Sequence, residues 1–89
     1  MPSGSRRLLF RDATQIRAAR ALLDISQAQL SAMASVSEST IKRLEAASTI
    51  RGSAESIWKV QRVLEEAGVE FIPAEGSSGA GVRLREKRG

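Results

Sequence analysis

The chain has no cysteine, no histidine and no tyrosine among its 89 residues, and only two prolines. Without cysteine there is neither a disulfide framework nor a thiol nucleophile, and without histidine as well the usual zinc-ligand sets are missing. Serine–histidine catalysis falls for the same reason. Carboxylates remain, but no two stand in a pocket-forming context, so an enzyme is the least favoured class. Aromatics are scarce too, two Phe and one Trp. That weighs against a single-stranded RNA binder, which holds bases by stacking. No apolar run approaches the roughly 20 residues of a membrane span, and no signal-peptide core follows the N-terminal arginines. The expectation is a soluble cytoplasmic protein with one core, burying ~60–65% of the unfolded chain's surface.

What is present is charge, unevenly placed. The net charge is +4. Arg6, Arg7 and Arg11 make residues 1–11 basic, and Arg83, Arg85, Lys87 and Arg88 outweigh Glu86 at the other end. Between the two, nine acidic side chains face seven basic ones. Basic ends steer toward a polyanion such as nucleic acid, or are simply solvated tails.

The apolar spacing predicts four short helices and a strand pair. Residues 1–11, "MPSGSRRLLFR", read as a flexible arm. Asp12 with Gln15 has capping-box spacing and opens a helix whose stripe is Ile16, Ala19 and Leu23. "DIS" breaks it. Ser26 with Gln29 repeats the capping-box spacing and opens a second helix, with Leu30, Met33 and Ala34 inside. After "SVS", Ser37 caps a third helix, roughly Glu38–Ala46, with Ile41 and Leu44 inside. "ASTIRGS" is a loop. Ser53 or Gly52 starts a fourth helix with Ile57, Val60, Leu64 and Ala67 on one face, ended by Gly68. "VEFI" and "VRLR" alternate like strands around the Gly-rich "AEGSSGAG". That loop lacks the lysine and Ser/Thr of a phosphate-binding loop, so it reads as a hairpin connection.

The second and third helices are too short to be stable alone and lie three residues apart. Held at a large angle by their buried stripes, they form a helix-turn-helix, whose second helix can enter a DNA major groove. Leu30, Ala34, Val36, Ile41 and Leu44 make the dry side. Glu38, Ser39, Lys42 and Arg43 face outward, and arginine is the commonest reader of guanine. A plain helical bundle with a solvated polar face is the competing interpretation.

Residues 12–67 resemble the phage-repressor-like (Cro/repressor, Xre-type) helix-turn-helix family, in Gln27, Leu30, Ala34, Val36–Ser37, Thr40–Ile41 and Leu44–Glu45. The resemblance implies a mainly α, lambda-repressor-like bundle of four to five helices that binds operator DNA as a homodimer. It implies a phosphate contact for Gln27, base reading by Glu38, Ser39 and Arg43, and base or backbone contacts for Ser37, Thr40 and Lys42. Arg20 and Glu45 match a structural ion pair tying the first helix to the end of the recognition helix. Two residues depart from the pattern. Ser35 stands where the family turn usually has glycine at positive φ, a conformation that costs serine on the order of 1 kcal/mol. Glu38 is an unusual reader, able to accept from cytosine N4 but repelled by phosphate; its alternative role is to stabilise the helix N-terminus.

Residues 68–85 resemble the C-terminal strand pair of small bacterial regulators of this family, which implies a part in dimerisation. Val69, Phe71, Val82 and Leu84 would share one face, and exposed strand edges invite a second chain. With Trp58, beside the apolar stripe of helix 4, they form the candidate dimer interface. Residues 86–89 read as a basic tail. The expected protein is therefore a homodimeric operator-binding transcriptional regulator, such as a repressor controlling its own promoter, with no cofactor, metal, small-molecule ligand or membrane contact. A nucleoid-associated site in a bacterial or phage-infected cytoplasm goes with that reading. The alternatives are an antitoxin-like protein-interaction module with secondary DNA binding, and an RNA-binding helical domain.

Overall fold

Ala13–Leu23 forms α1, Gln27–Ala34 α2, Glu38–Ala46 α3 and Ala54–Glu66 α4, followed by strands β1, Val69–Ile72, and β2, Gly81–Leu84. The structure is a computed structural model describing residues 13–46 and 53–86. The expected flexible arm at 1–11, the Asp12 cap, most of the loop before α4 and the end of the basic tail lie outside the described residues.

Each boundary has a local cause. α2 opens with a complete capping box: the Gln29 amide donates to Ser26 Oγ at 3.0 Å, and the Ser26 amide donates to Gln29 Oε1 at 2.8 Å. Ser37 Oγ accepts from the Thr40 amide at 3.0 Å, and Ser53 Oγ accepts from the Ser56 amide at the same distance. These bonds satisfy first-turn donors that no helical carbonyl can reach.

Two helices end on residues in the left-handed region. Asp24 after α1 and Ser35 after α2 both have φ 58°. Around each, the next residue's amide reaches back five residues, Ile25 to the Arg20 carbonyl at 3.1 Å and Val36 to the Ser31 carbonyl at 3.1 Å. This closure satisfies orphan carbonyls and turns the chain sharply. Ser35 thus adopts the left-handed conformation that glycine would take.

The core is Ile16, Ala19, Leu30, Ala34, Ile41, Leu44, Ile57, Val60, Leu64, Val69 and Phe71, with Leu23, Ile25, Val36, Val63, Val82 and Leu84 packed around it. Two expectations are corrected. Met33 is 41% exposed. At ~100° per residue, Leu30 and Ala34 lie ~40° apart, and Met33 falls ~60° beyond Leu30 on the other side, past the edge of the buried stripe. Ala67 is exposed because α4 stops at Glu66 and Ala67 is its C-cap.

The strands pair antiparallel, Val69 opposite Leu84 and Phe71 opposite Val82. These four do share one face, set against α1 and α4. Gln15 on α1 donates to the Gly81 carbonyl at 3.1 Å, and Arg85 Nη2 donates to the Glu65 carbonyl near the end of α4 at 2.9 Å. At the tip, Glu75 and Ser78 exchange two backbone bonds at 2.9 Å around Gly76, whose φ of 59° the tight turn requires.

Candidate nucleic-acid interface

α3 buries Ile41, Leu44 and Glu45 and exposes Glu38, Ser39, Lys42 and Arg43. The exposed four fall on one stripe because positions i, i+1, i+4 and i+5 of a helix lie on one side. Glu38 occupies the first turn, where the helix dipole favours its charge. Lys42 Nζ sits 3.8 Å from Glu38 Oε2, with the two side chains 63% and 48% exposed. A pair this exposed contributes under ~1 kcal/mol, so Lys42 can leave it at little cost. Arg43 has no hydrogen bond or ion pair among the described residues. Ser37 and Thr40 are committed at the helix start, their hydroxyls 2.9 Å apart, yet both remain at the surface end of α3.

The opposite end of α3 is held by a polar latch. Glu45 is only 4% exposed. Its carboxylate accepts from Arg20 Nε at 2.8 Å, Arg20 Nη2 at 2.9 Å and Gln27 Nε2 at 3.0 Å. The bond to Glu45 raises the Arg20 pKa above the ordinary arginine value, against the opposing effect of burial. Arg20 Nη1 also donates to the Ile25 carbonyl at 3.1 Å. Arg17, one turn earlier on α1, donates through Nη1 to the Glu45 carbonyl. Three helices therefore converge on one residue. The apolar stripe fixes how deep α3 sits, and the latch fixes its rotation and pitch.

Gln27 is drawn into this latch by one amide N–H. Its second N–H and its carbonyl remain at the start of α2, half-buried. Arg17 was not singled out by sequence reasoning; its i, i+3 spacing to Arg20 was the available signal. Buried Gln15 and Gln61 were missed as well. Gln61 stands four residues after Ile57, within the stripe of Val60 and Leu64, so helical spacing was the available signal for it. Gln15 lies at the margin of its stripe, and only the tertiary structure reveals that it is buried.

The candidate dimer residues separate into two groups. Val69 and Phe71 are 0% and 5% exposed, so their side chains lie within the subunit's own core and present no surface to a second chain. Trp58, Val82 and Leu84 are half-buried. Among the described residues there is no cluster of carboxylates that could hold a metal ion, and no helix long and apolar enough to cross a membrane.

Residues 16–70 match the family model described as Helix-turn-helix. The match covers the latch, the turn, the whole of α3 and the start of β1. No curated protein matches the chain.

Proposed function

The chain belongs to the helix-turn-helix family of the Cro/C1, Xre-like type, and we propose that it reads a palindromic operator as a homodimer, one α3 per half-site. DNA-binding transcription regulation is what the family match supports in general. Beyond that, our assignment gives base edges to Arg43, Ser39 and Glu38: a bidentate guanine contact for Arg43, adaptable bonds for Ser39 and an acceptor for cytosine N4 in Glu38. Gln27, Ser37, Thr40 and Lys42 fix register on phosphates or share in base contact. Half-sites about 10 bp apart, centre to centre, suit two such helices. We further propose that the operator lies upstream of the protein's own gene, and that the protein works in the cytoplasm on the nucleoid.

The observation that carries this reading is the contrast between the two sides of α3. One side is buried and latched at Glu45; the other exposes Ser39 and Arg43, and Arg43 has no hydrogen bond or ion pair among the described residues. A helix held this firmly can pre-position its readers before DNA arrives, which reduces the ordering cost of binding.

The test is a titration at fixed salt of duplex DNA from upstream of the gene against a shuffled duplex of equal composition. Preference for the first, saturating at two chains per site, is expected. Arg43→Ala should lose about 1–3 kcal/mol of discrimination at one base-pair position, whereas Gln27→Ala should weaken all duplexes about equally. Equal losses on every sequence for both variants would overturn the assignment of readers.

A further inference from the structure

The strand pair is covered unevenly. On β1, Val69 and Phe71 are buried, but their cross-strand neighbours Leu84 and Val82 on β2 are left half-exposed. Leu84 and Val82 pack against the core but leave part of their apolar surface uncovered at β2.

The backbone of β2 is open on the same side. The Arg85 amide donates to the Gly68 carbonyl at 2.7 Å, so Gly68 and Arg85 form a hydrogen-bonded pair. Antiparallel ladders alternate bonded and non-bonded pairs. With the register of the two strands, Glu70–Arg83 and Ile72–Gly81 are then bonded pairs. The amides and carbonyls of Val82 and Leu84 point away from β1, and no described residue bonds them. Edge strands are commonly protected by proline, a bulge or a charge standing over the edge. β2 has neither proline nor bulge, and its arginine, Arg83, and Arg85 just past its end both lean the other way. Arg83 Nε and Nη2 donate to Glu70 on β1 at 3.0 and 3.2 Å, and Arg85 reaches Glu65 on α4.

From these observations we infer that β2 pairs antiparallel with β2 of a second copy of this chain, making a continuous four-stranded sheet across a two-fold axis at Arg83. The inference rests on the homodimer reading above and specifies its surface. In this register Val82 lies opposite Leu84 of the second copy, and Leu84 opposite Val82. The four open amides and carbonyls of the two strands exchange four bonds. The half-exposed valines and leucines become contiguous and bury one another. The two Arg83 side chains are neighbours across the axis, where bare like charges would repel. Each keeps its bidentate partner Glu70, so the outer stripe reads Glu70, Arg83, Arg83, Glu70 and is neutral. A second copy fits this edge better than an arbitrary extended peptide, because self-pairing alone supplies both the matching apolar residues and the cancelling carboxylates.

The experiment uses the full chain and follows mass by sedimentation over a wide concentration range. Val82→Pro removes one outward amide per chain and no bond to β1. Across the symmetric interface two bonds disappear and two acceptors are stranded, so the dimer dissociation constant should rise by about 30-fold or more. Val82→Thr, which keeps the amide, should remain far closer to wild type. Amide exchange on the wild-type protein serves as a second measurement that needs no variant. Val82 and Leu84 amides should be slow at dimer concentrations and fast on dilution, while the Arg83 amide, bonded to β1, stays slow throughout.

A wild-type dimer in which Val82 and Leu84 amides exchange fast, or in which a folded Val82→Pro chain dimerises undiminished, would overturn the edge pairing and leave the homodimer reading intact. A wild-type chain monomeric at all concentrations, and binding operators one chain at a time, would overturn both.

Discussion

Glu45→Gln is the substitution that most directly tests the latch. The change keeps size and shape but replaces one carboxylate oxygen with an NH2 group. In the native structure both oxygens face donors: Oε2 takes Arg20 Nε, while Oε1 takes Arg20 Nη2 and Gln27 Nε2. Whichever way the new amide turns, a donor meets a donor. The Arg20 guanidinium, whose side chain is 21% exposed, also loses its counter-charge. Removing one partner of a buried pair costs about 3–5 kcal/mol. Arg20 keeps some water and its bond to the Ile25 carbonyl, which brings the expected loss to about 2–3 kcal/mol. For a domain of this size each kcal/mol moves Tm by about 4–8 °C, so thermal unfolding followed by circular dichroism should shift down by about 10–20 °C. Glu38→Gln, which gives up an exposed i, i+4 pair and a favourable charge at the start of α3, together about 1 kcal/mol, should shift it by less than about 8 °C. If the two variants unfold within a few degrees of each other, Glu45 behaves as a solvated surface carboxylate and the latch does not hold α3. An apolar double variant, Arg20→Met with Glu45→Leu, should recover much of the loss, because it removes both charges together.

The other predictions concern the turn and the sheet. Ser35→Gly should stabilise the protein by about 0.5–1 kcal/mol, since glycine adopts φ 58° freely while its larger unfolded-state entropy takes back part of the gain; a lower Tm would refute left-handed strain at Ser35. The hydrogen bond from Arg83, aided by its charge, holds the Glu70 carboxyl below the ordinary carboxylate pKa. Carbon-detected NMR titration should show that depression in the wild type and its loss in Arg83→Gln. The sign follows from the folded value being the lower one. The pair's contribution is fully present above the unfolded carboxylate value and fades as pH falls through the folded one.

Much of the fold was legible because short-range rules and the global structure agree. Ser26 with Gln29, Ser37 and Ser53 mark the three helix starts that can be described, and Gly68, at φ 108°, lies just past the end of α4. The inner face of α3 and the facing of Val69, Phe71, Val82 and Leu84 likewise follow from period alone, 3.6 in one case and 2 in the other. Met33 and Ala67 show where period stops being enough. A residue at the margin of a stripe is buried only if another element covers it, and a residue at a helix end follows the stripe only if the helix continues.

The site divides along the same line. The outward stripe of α3 is a local property, and helical spacing places Glu38, Ser39, Lys42 and Arg43 on it without any knowledge of the rest of the chain. The latch is not local. Arg17, Arg20 and Gln27 lie 28, 25 and 18 residues from Glu45. Family resemblance supplied the Arg20–Glu45 pair; it assigned Gln27 to phosphate and was silent on Arg17. Yet these contacts decide what the local stripe can do. On the proposed reading, a phosphate arriving at Gln27 would meet a side chain already bonded to the end of α3, which would link backbone docking to the pitch of Arg43. Disturbing Gln27 should therefore act on every duplex, while disturbing Arg43 acts on one base pair.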